Sequence, residues 1–274
     1  MRRRSSFAFR AGLAITLFMV IMAVAAHFWT PHDPADMDIT IRLQPPSLIH
    51  PFGTDHFGRD VFSIIMAGSR ITLGVALAAV MIGLGIGVPL GLVAGAFHGR
   101  IADDAVLRAN DLIFAFPALL TAILIAARFG PGAYTVIIAI GLFNIPVFAR
   151  ISRAASLPLW HRDFIRAAFL AGKGKGLISV EHILPNIAHL LIVQASIQFS
   201  LAILAEAGLS YIGLGVQPPA PSWGRLLADS QTMVSISPYP VVMAGLAIML
   251  TVLGFNLLAD GLKKRYIRTR EVII

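Results

Sequence analysis

Charged residues interrupt this chain at widely separated places, leaving long apolar runs between them. No Asp, Glu, Lys or Arg occurs in 11–28, 71–97, 112–127, 133–149, 187–205 or 239–259. At ~1.5 Å rise per residue, roughly 20 residues cross a hydrocarbon core of ~30 Å. Each run, slightly extended at its ends, therefore predicts one membrane-spanning helix, and the chain reads as an all-α membrane protein with six transmembrane helices. A barrel would show segments of alternating polarity about 10 residues long, and these runs are continuous instead.

Within the second run, Gly83, Gly87, Gly91 and Gly95 recur at every fourth position. That register puts them on one helical face, a smooth ridge on which another helix can lie closely. Pro89, in the same run, removes a backbone donor and crowds the preceding turn, which predicts a kink. No solenoid-length repeat or low-complexity linker divides the chain, so 1–274 forms one membrane domain. It comprises a first helix and outer loop (1–70), a helical core (71–262) and a tail (263–274).

Composition supports this class: 57% of residues are hydrophobic, 13% are charged, and the mean hydropathy is +0.80. A net charge of +8 would suit nucleic acid only if it were gathered on one face. The basic residues instead lie between the runs, so no nucleic acid is expected, and the bilayer is the expected surrounding. Placing both termini in the cytoplasm puts 17 of the 22 Lys and Arg residues inside, leaving Arg42, Arg59, Arg70, Arg128 and Arg225 outside. Arg2, Arg3 and Arg4 before an apolar run ending near Ala23-Val24-Ala25 also describe a cleavable signal, although the run is long for one.

Without cysteine there is no thiolate chemistry. GKGKG at 172–176 is not a P-loop, and neither HExxH nor GxSxG occurs, so neither a catalytic residue nor a cofactor is expected. The histidines at 27, 32, 50 and 56 show no helical ligand spacing, and no metal site is expected from them. Asp104, Arg108 and Asp111 are spaced for a structural ion-pair cluster along one helix. Glu206 adjoins an apolar run, where an acid is costly unless hydrated or paired; it is a candidate pathway or gate residue, or else an outer cap.

The polar segment 150–185 is the longest interruption. It predicts a short helix with Asp163 as N-cap, ended by Gly172, Gly174 and Gly176. Phe164, Ala167, Ala168 and Ala171 share one face, small enough to sink into a groove on a partner, with Phe164 as an apolar anchor. Leu184-Pro185 should then start the fifth membrane helix, since proline suits a first turn.

Arg166-Ala167-Ala168, Gly172, His182 and Leu184-Pro185 resemble, in spacing, the cytoplasmic loop of bacterial ABC-importer permeases, whose pattern begins Glu-Ala-Ala. HPFGTDHFGRDVFSIIMAGSRITLG (50–74), EAGLSYIGLGVQPPAPSWGRLLADS (206–230) and LGFNLLADGLKKRY (253–266) are similar to segments of the dipeptide, oligopeptide and nickel permeases of the second-subunit type. The resemblance implies the type I importer permease fold, with 162–186 as the coupling helix and its turn. It implies three kinds of neighbour: a homologous second permease subunit, two cytoplasmic ATP-binding subunits that supply the hydrolysis, and an extracytoplasmic substrate-binding protein. Two positions depart from the pattern: Arg166 stands where the family has Glu, and His182 where Ile is usual. The implied cargo is a di- or oligopeptide, with a nickel chelate or a glutathione-like peptide as the alternative. An ion-coupled carrier is the rival class. It would place ionisable groups at mid-membrane, and apart from Glu206 the runs contain none.

Overall fold

Each of the six apolar runs is mainly helical in the computed structural model, which describes the backbone of residues 2–271 and the side chains of 7–264. The side chains of Arg2, Arg3 and Arg4 and most of the expected tail lie outside the described residues. The helices are α1 (Arg2–Phe28), α2 (Val61–Ile82), α3 (Val88–Ala96), α4 (Ile101–Ala115), α5 (Ala118–Phe129), α6 (Ala133–Trp160), α7 (Asp163–Leu170), α8 (Lys175–Ile178), α9 (Leu184–Tyr211), α10 (Trp223–Ser230) and α11 (Tyr239–Glu271). Among the described residues there is no strand, only an isolated bridge between Thr54 and Asp60.

Five spans are long and apolar enough to cross a membrane: Phe7–Phe28, Val61–Ala96, Ala133–Trp160, Lys175–Tyr211 and Tyr239–Lys264. The sixth is not the single rod expected for 112–127, because α4 and α5 meet at 82°. The cause is local. Pro117 forces the residue before it out of the helical region, and Phe116 is extended (φ −98°, ψ 134°).

Other prolines are absorbed without such a break: Pro146 and Pro158 lie inside the continuous α6, and two more follow widened turns. Pro89 follows a π-helical turn at Gly83–Gly87, and Pro185 follows one at Ser179–Ile183. A proline ring collides with the carbonyl four residues back and leaves it without a donor, and a widened turn at that place relieves both defects. The kink expected at Pro89 is thus taken up inside one span, Val61–Ala96. The fifth span likewise begins ten residues before Pro185, at Lys175, instead of starting at the proline.

The glycine ridge is met by α6. A Cβ added to Gly83 would lie 2.4 Å from Asn144 Cβ, one on Gly87 2.4 Å from the Ile145 carbonyl oxygen, and one on Gly91 2.3 Å from that of Ala149. Gly95 abuts Ser156 Oγ in the same way. The facing α6 residues, Asn144, Phe148, Ser152 and Ser156, are themselves four apart, so matching rows interlock. A second close contact, unforeseen from the sequence, joins α1 to α11: Gly12 lies against Leu258, Gly254 against Ile15, and Gly261 against Phe9. The helix that also carries signal-like features is therefore docked in the bundle.

The core runs through α2 (Val61, Ile64, Ile65), α9 (Ile187, Leu191, Ile203), α10 (Trp223, Leu226) and α11 (Ala244, Ala247, Ile248). Trp223 is wholly buried, with Nε1 donating to the Ile65 carbonyl at 3.0 Å. It fastens the segment after α9 to the start of α2.

Candidate functional site

Helix α7 is short, and its two faces differ. Ile165 is fully buried and Ala168 nearly so, three residues apart, and with Ile178 and Ile183 they extend the same apolar core that fills the membrane bundle. The opposite face is open: Phe164 is 42% exposed and Leu170 91%, with Ala167 and Ala171 exposed beside them. Ala168 was expected on the partner side; it points into this chain, which leaves Phe164, Ala167, Leu170 and Ala171 as the outward surface. Ile165, not foreseen, anchors the helix.

The helix start also differs from expectation. Arg162 is the N-cap, without a side-chain bond, and Asp163 is the first helical residue, paired with Arg166 at 3.5 Å. The end is as expected. Gly172 adopts φ +79°, its N–H donates to the Phe169 carbonyl at 2.9 Å, and the Lys173 N–H donates to that of Ala168 at 3.1 Å. This reversal, with its paired bonds, satisfies carbonyls that the helix end leaves open.

Behind the turn the loop is tied to its own chain. Lys173 pairs with Glu181, and its Nζ lies 3.3 Å from His182 Nε2. The His182 ring meets Phe164 edge-on at 6.4 Å between centroids. Lys175 donates to the Ala96 carbonyl and sits 4.6 Å over the Phe97 ring, joining α8 to the end of α3. Both lysines of the loop are thus engaged within this chain, and Arg166 is the cation left at the surface of α7, its side chain 72% exposed.

Sequence comparison agrees with this architecture. The family described as the inner membrane component of binding-protein-dependent transport systems matches residues 87–268, and the N-terminal transmembrane domain of oligopeptide transport permease C matches 4–46. The chain belongs to this permease family. It is 42% identical to a dipeptide transport system permease of Alkalihalophilus pseudofirmus, across 92% of this chain and 83% of the relative. It is 39% identical to a glutathione transport system permease of Pectobacterium atrosepticum, across 95% of this chain and 86% of that one. The methionine ABC transporter solved in inward-facing conformations shares the fold: TM-score 0.59 at 18% identity, over 75% of this chain and 95% of the other.

The permease buries Glu206 completely, contrary to a place on an open path. Ser210 Oγ donates to its Oε1 at 2.7 Å and accepts the Val216 N–H at 3.1 Å, so the acid sits beneath the segment that returns after α9. Its neighbours Ala205, Gly208 and Leu209 line a cavity of about 480 Å³ between α5, α6 and α9, which also contains Asn144 and Gln198; Glu206 does not line it. The cluster expected along α4 does not form: among the described residues no ion pair joins Asp104, Arg108 and Asp111, while Asp103 pairs across to Arg153 Nε on α6 at 2.6 Å and Asp111 to Arg150 at 2.6 Å. Finally, His32 and His50 do converge, on Asp60. Helical spacing had hidden this, because all three lie in irregular chain or at a helix cap.

Proposed function

We propose that the permease is one of two transmembrane subunits of an ATP-driven importer of short peptides, with both termini in the cytoplasm and α7 seated in a cleft of an ATP-hydrolysing subunit. The observation that carries this reading is the two-faced α7. A helix whose inner face continues the membrane core transmits a push to the bundle, while Leu170, 91% exposed at the other face, is an apolar group without a partner in its own chain. The 17-to-5 bias of Lys and Arg supports the orientation.

On this reading ATP binding draws the ATP-binding subunits together, α7 follows, and the bundle shifts between inward- and outward-facing states. Such coupling requires that the partners bind the two states with different free energies. The dipeptide and glutathione permeases among its relatives support a short-peptide cargo, glutathione being itself a tripeptide. The cavity is lined by apolar residues apart from Gln198 and Asn144, whose amide donates to the Ala79 carbonyl at 3.3 Å, and it holds no charge, consistent with a conduit that leaves selection largely to an external binding protein.

The test is a Leu170→Asp variant in the assembled transporter. The chain should insert and melt as before, because Leu170 contributes little to its own core, while the ATP-binding subunits no longer co-purify and peptide uptake stops. Unchanged co-purification and uptake would refute α7 as the docking element.

A further inference from the structure

At the end of α2 remote from α7, three side chains from separate parts of the sequence meet. His50 Nδ1 lies 3.0 Å from Asp60 Oδ1, His32 Nδ1 lies 3.6 Å from Asp60 Oδ2, and one ligand atom from each residue falls within 4.8 Å of the others. The Asp60 side chain is 1% exposed, that of His50 11% and that of His32 38%.

Hydrogen bonding explains only part of this arrangement. His50 and Asp60 are within bonding distance, but His32 Nδ1 is buried, lacks a hydrogen-bond partner, and faces the carboxylate from too far away to bond it. An unsatisfied buried nitrogen is costly, and a group lying between it and the carboxylate would remove that cost. Ligands bound tetrahedrally at ~2.0–2.2 Å from one cation lie roughly 3.3 Å apart, so the 3.0 Å between His50 and Oδ1 already suits one cation, while His32, 3.6 Å from Oδ2, would close in on it by a small shift.

The surroundings hold the three groups in place. Ser63 donates to Asp60 Oδ2 from its N–H at 2.8 Å and from its Oγ at 2.7 Å, leaving Oδ1 as the freer donor atom. The same Ser63 Oγ accepts the His32 N–H at 3.0 Å, so one residue positions two of the three. Thr30 Oγ1 donates to the His32 carbonyl, and His50 is held by two bonds to Ser47. Such second-contact bonds orient ligands in metal sites. Two imidazoles and one carboxylate favour a borderline first-row cation over calcium or magnesium, which prefer oxygen.

We infer that His32, His50 and Asp60 bind a divalent transition cation of the zinc type, clasping the outer loop to the start of α2. The proposal is independent of the cargo and of the role given to α7.

The test uses the full-length chain without a histidine tag, stripped with chelator in detergent, and titrated with Co²⁺ as a spectroscopic probe and then with Zn²⁺. The expected result is one tetrahedral cobalt site per chain, displaced by Zn²⁺, with Zn²⁺ raising the melting temperature. Binding should weaken on acidification, as protons compete for the imidazoles. His32→Ala should weaken cobalt binding at least tenfold and abolish the zinc-induced shift; the shift is read against the variant's own metal-free form, because the substitution also removes the ring contact with His50 (4.8 Å between centroids). His56→Ala should bind as the parent does. No cobalt spectrum in the parent, or an unchanged spectrum and affinity in His32→Ala, would overturn the assignment.

Discussion

Two sets of glycines lie in this permease, and they serve opposite needs. Gly83, Gly87, Gly91 and Gly95 are buried, in right-handed helix that widens to a π turn between the first two, and each is close to α6. Gly172, Gly174 and Gly176 have nothing within 4 Å of an added Cβ, and Gly172 alone of the three is held at positive φ. The first set provides space, and the second provides a turn and leaves a surface clear. Glycine spacing therefore reports on packing only where the surrounding run is continuous helix; in a polar segment it marks where the chain reverses.

The strongest way to break this distinction is to fill the ridge. In Gly91→Leu the new Cβ would fall 2.3 Å from a backbone oxygen of Ala149, an obstacle that cannot rotate aside. The expected cost exceeds the ~3 kcal/mol usual for overpacked cores. Monodisperse chain should be lost on size-exclusion chromatography, and uptake should be lost with it. Full yield and an unchanged melting temperature would show that α6 does not rest on the ridge.

A smaller effect separates the two faces of α7. Ala168→Trp should destabilise the isolated chain by about 1–3 kcal/mol, because it forces an indole into the Ile165–Ile178–Ile183 core. Ala167→Trp should leave melting unchanged and stop uptake at the docking step. Equal melting temperatures for both would mean that the inner face of α7 is not packed.

Gly172 tests conformation without space. At φ +79° a β-branched side chain is strained by ~1–3 kcal/mol, while asparagine tolerates the same region. Gly172→Val should speed hydrogen exchange across 163–183 and lower uptake, and Gly172→Asn should restore most of both. If asparagine fails as badly as valine, the glycine is needed for clearance against a partner and the contrast between the two sets weakens.

Much of this was legible in the sequence because the decisive patterns are local. The ridge repeats every fourth residue, the bundle follows from charge-free runs, and α7 follows from a polar interval closed by glycines. The 82° break between α4 and α5 was missed because a charge-free run says nothing of direction, although Pro117 within it is the signal that could have shown it. The burial of Glu206 depends on Ser210 and on the return of the chain to Val216, a tertiary event with no periodic trace. The meeting of His32, His50 and Asp60 was hidden for the same reason. Ile165 was readable in principle: it lies three residues before Ala168, and the pair forms an apolar stripe beside the face first chosen.

The smallest effect is expected at Gly85, and it sharpens the comparison most. This glycine sits two residues from both Gly83 and Gly87, on the exposed side of the same π turn, with nothing within 4 Å of an added Cβ. Pro89, four residues on, removes the donor that Gly85's carbonyl would have in a regular α-helix, and a side chain at Gly85 does not alter that geometry. Gly85→Leu should therefore change the melting temperature of the isolated chain by no more than a surface substitution does, within ~0.5 kcal/mol. In the assembled transporter the same variant examines a surface that the single chain leaves open. If uptake is also unchanged, Gly85 faces lipid and the ridge is a contact within one subunit. If assembly fails while the isolated chain melts normally, a helix of another subunit lies there, and the four-residue ridge is one side of a span packed on two faces.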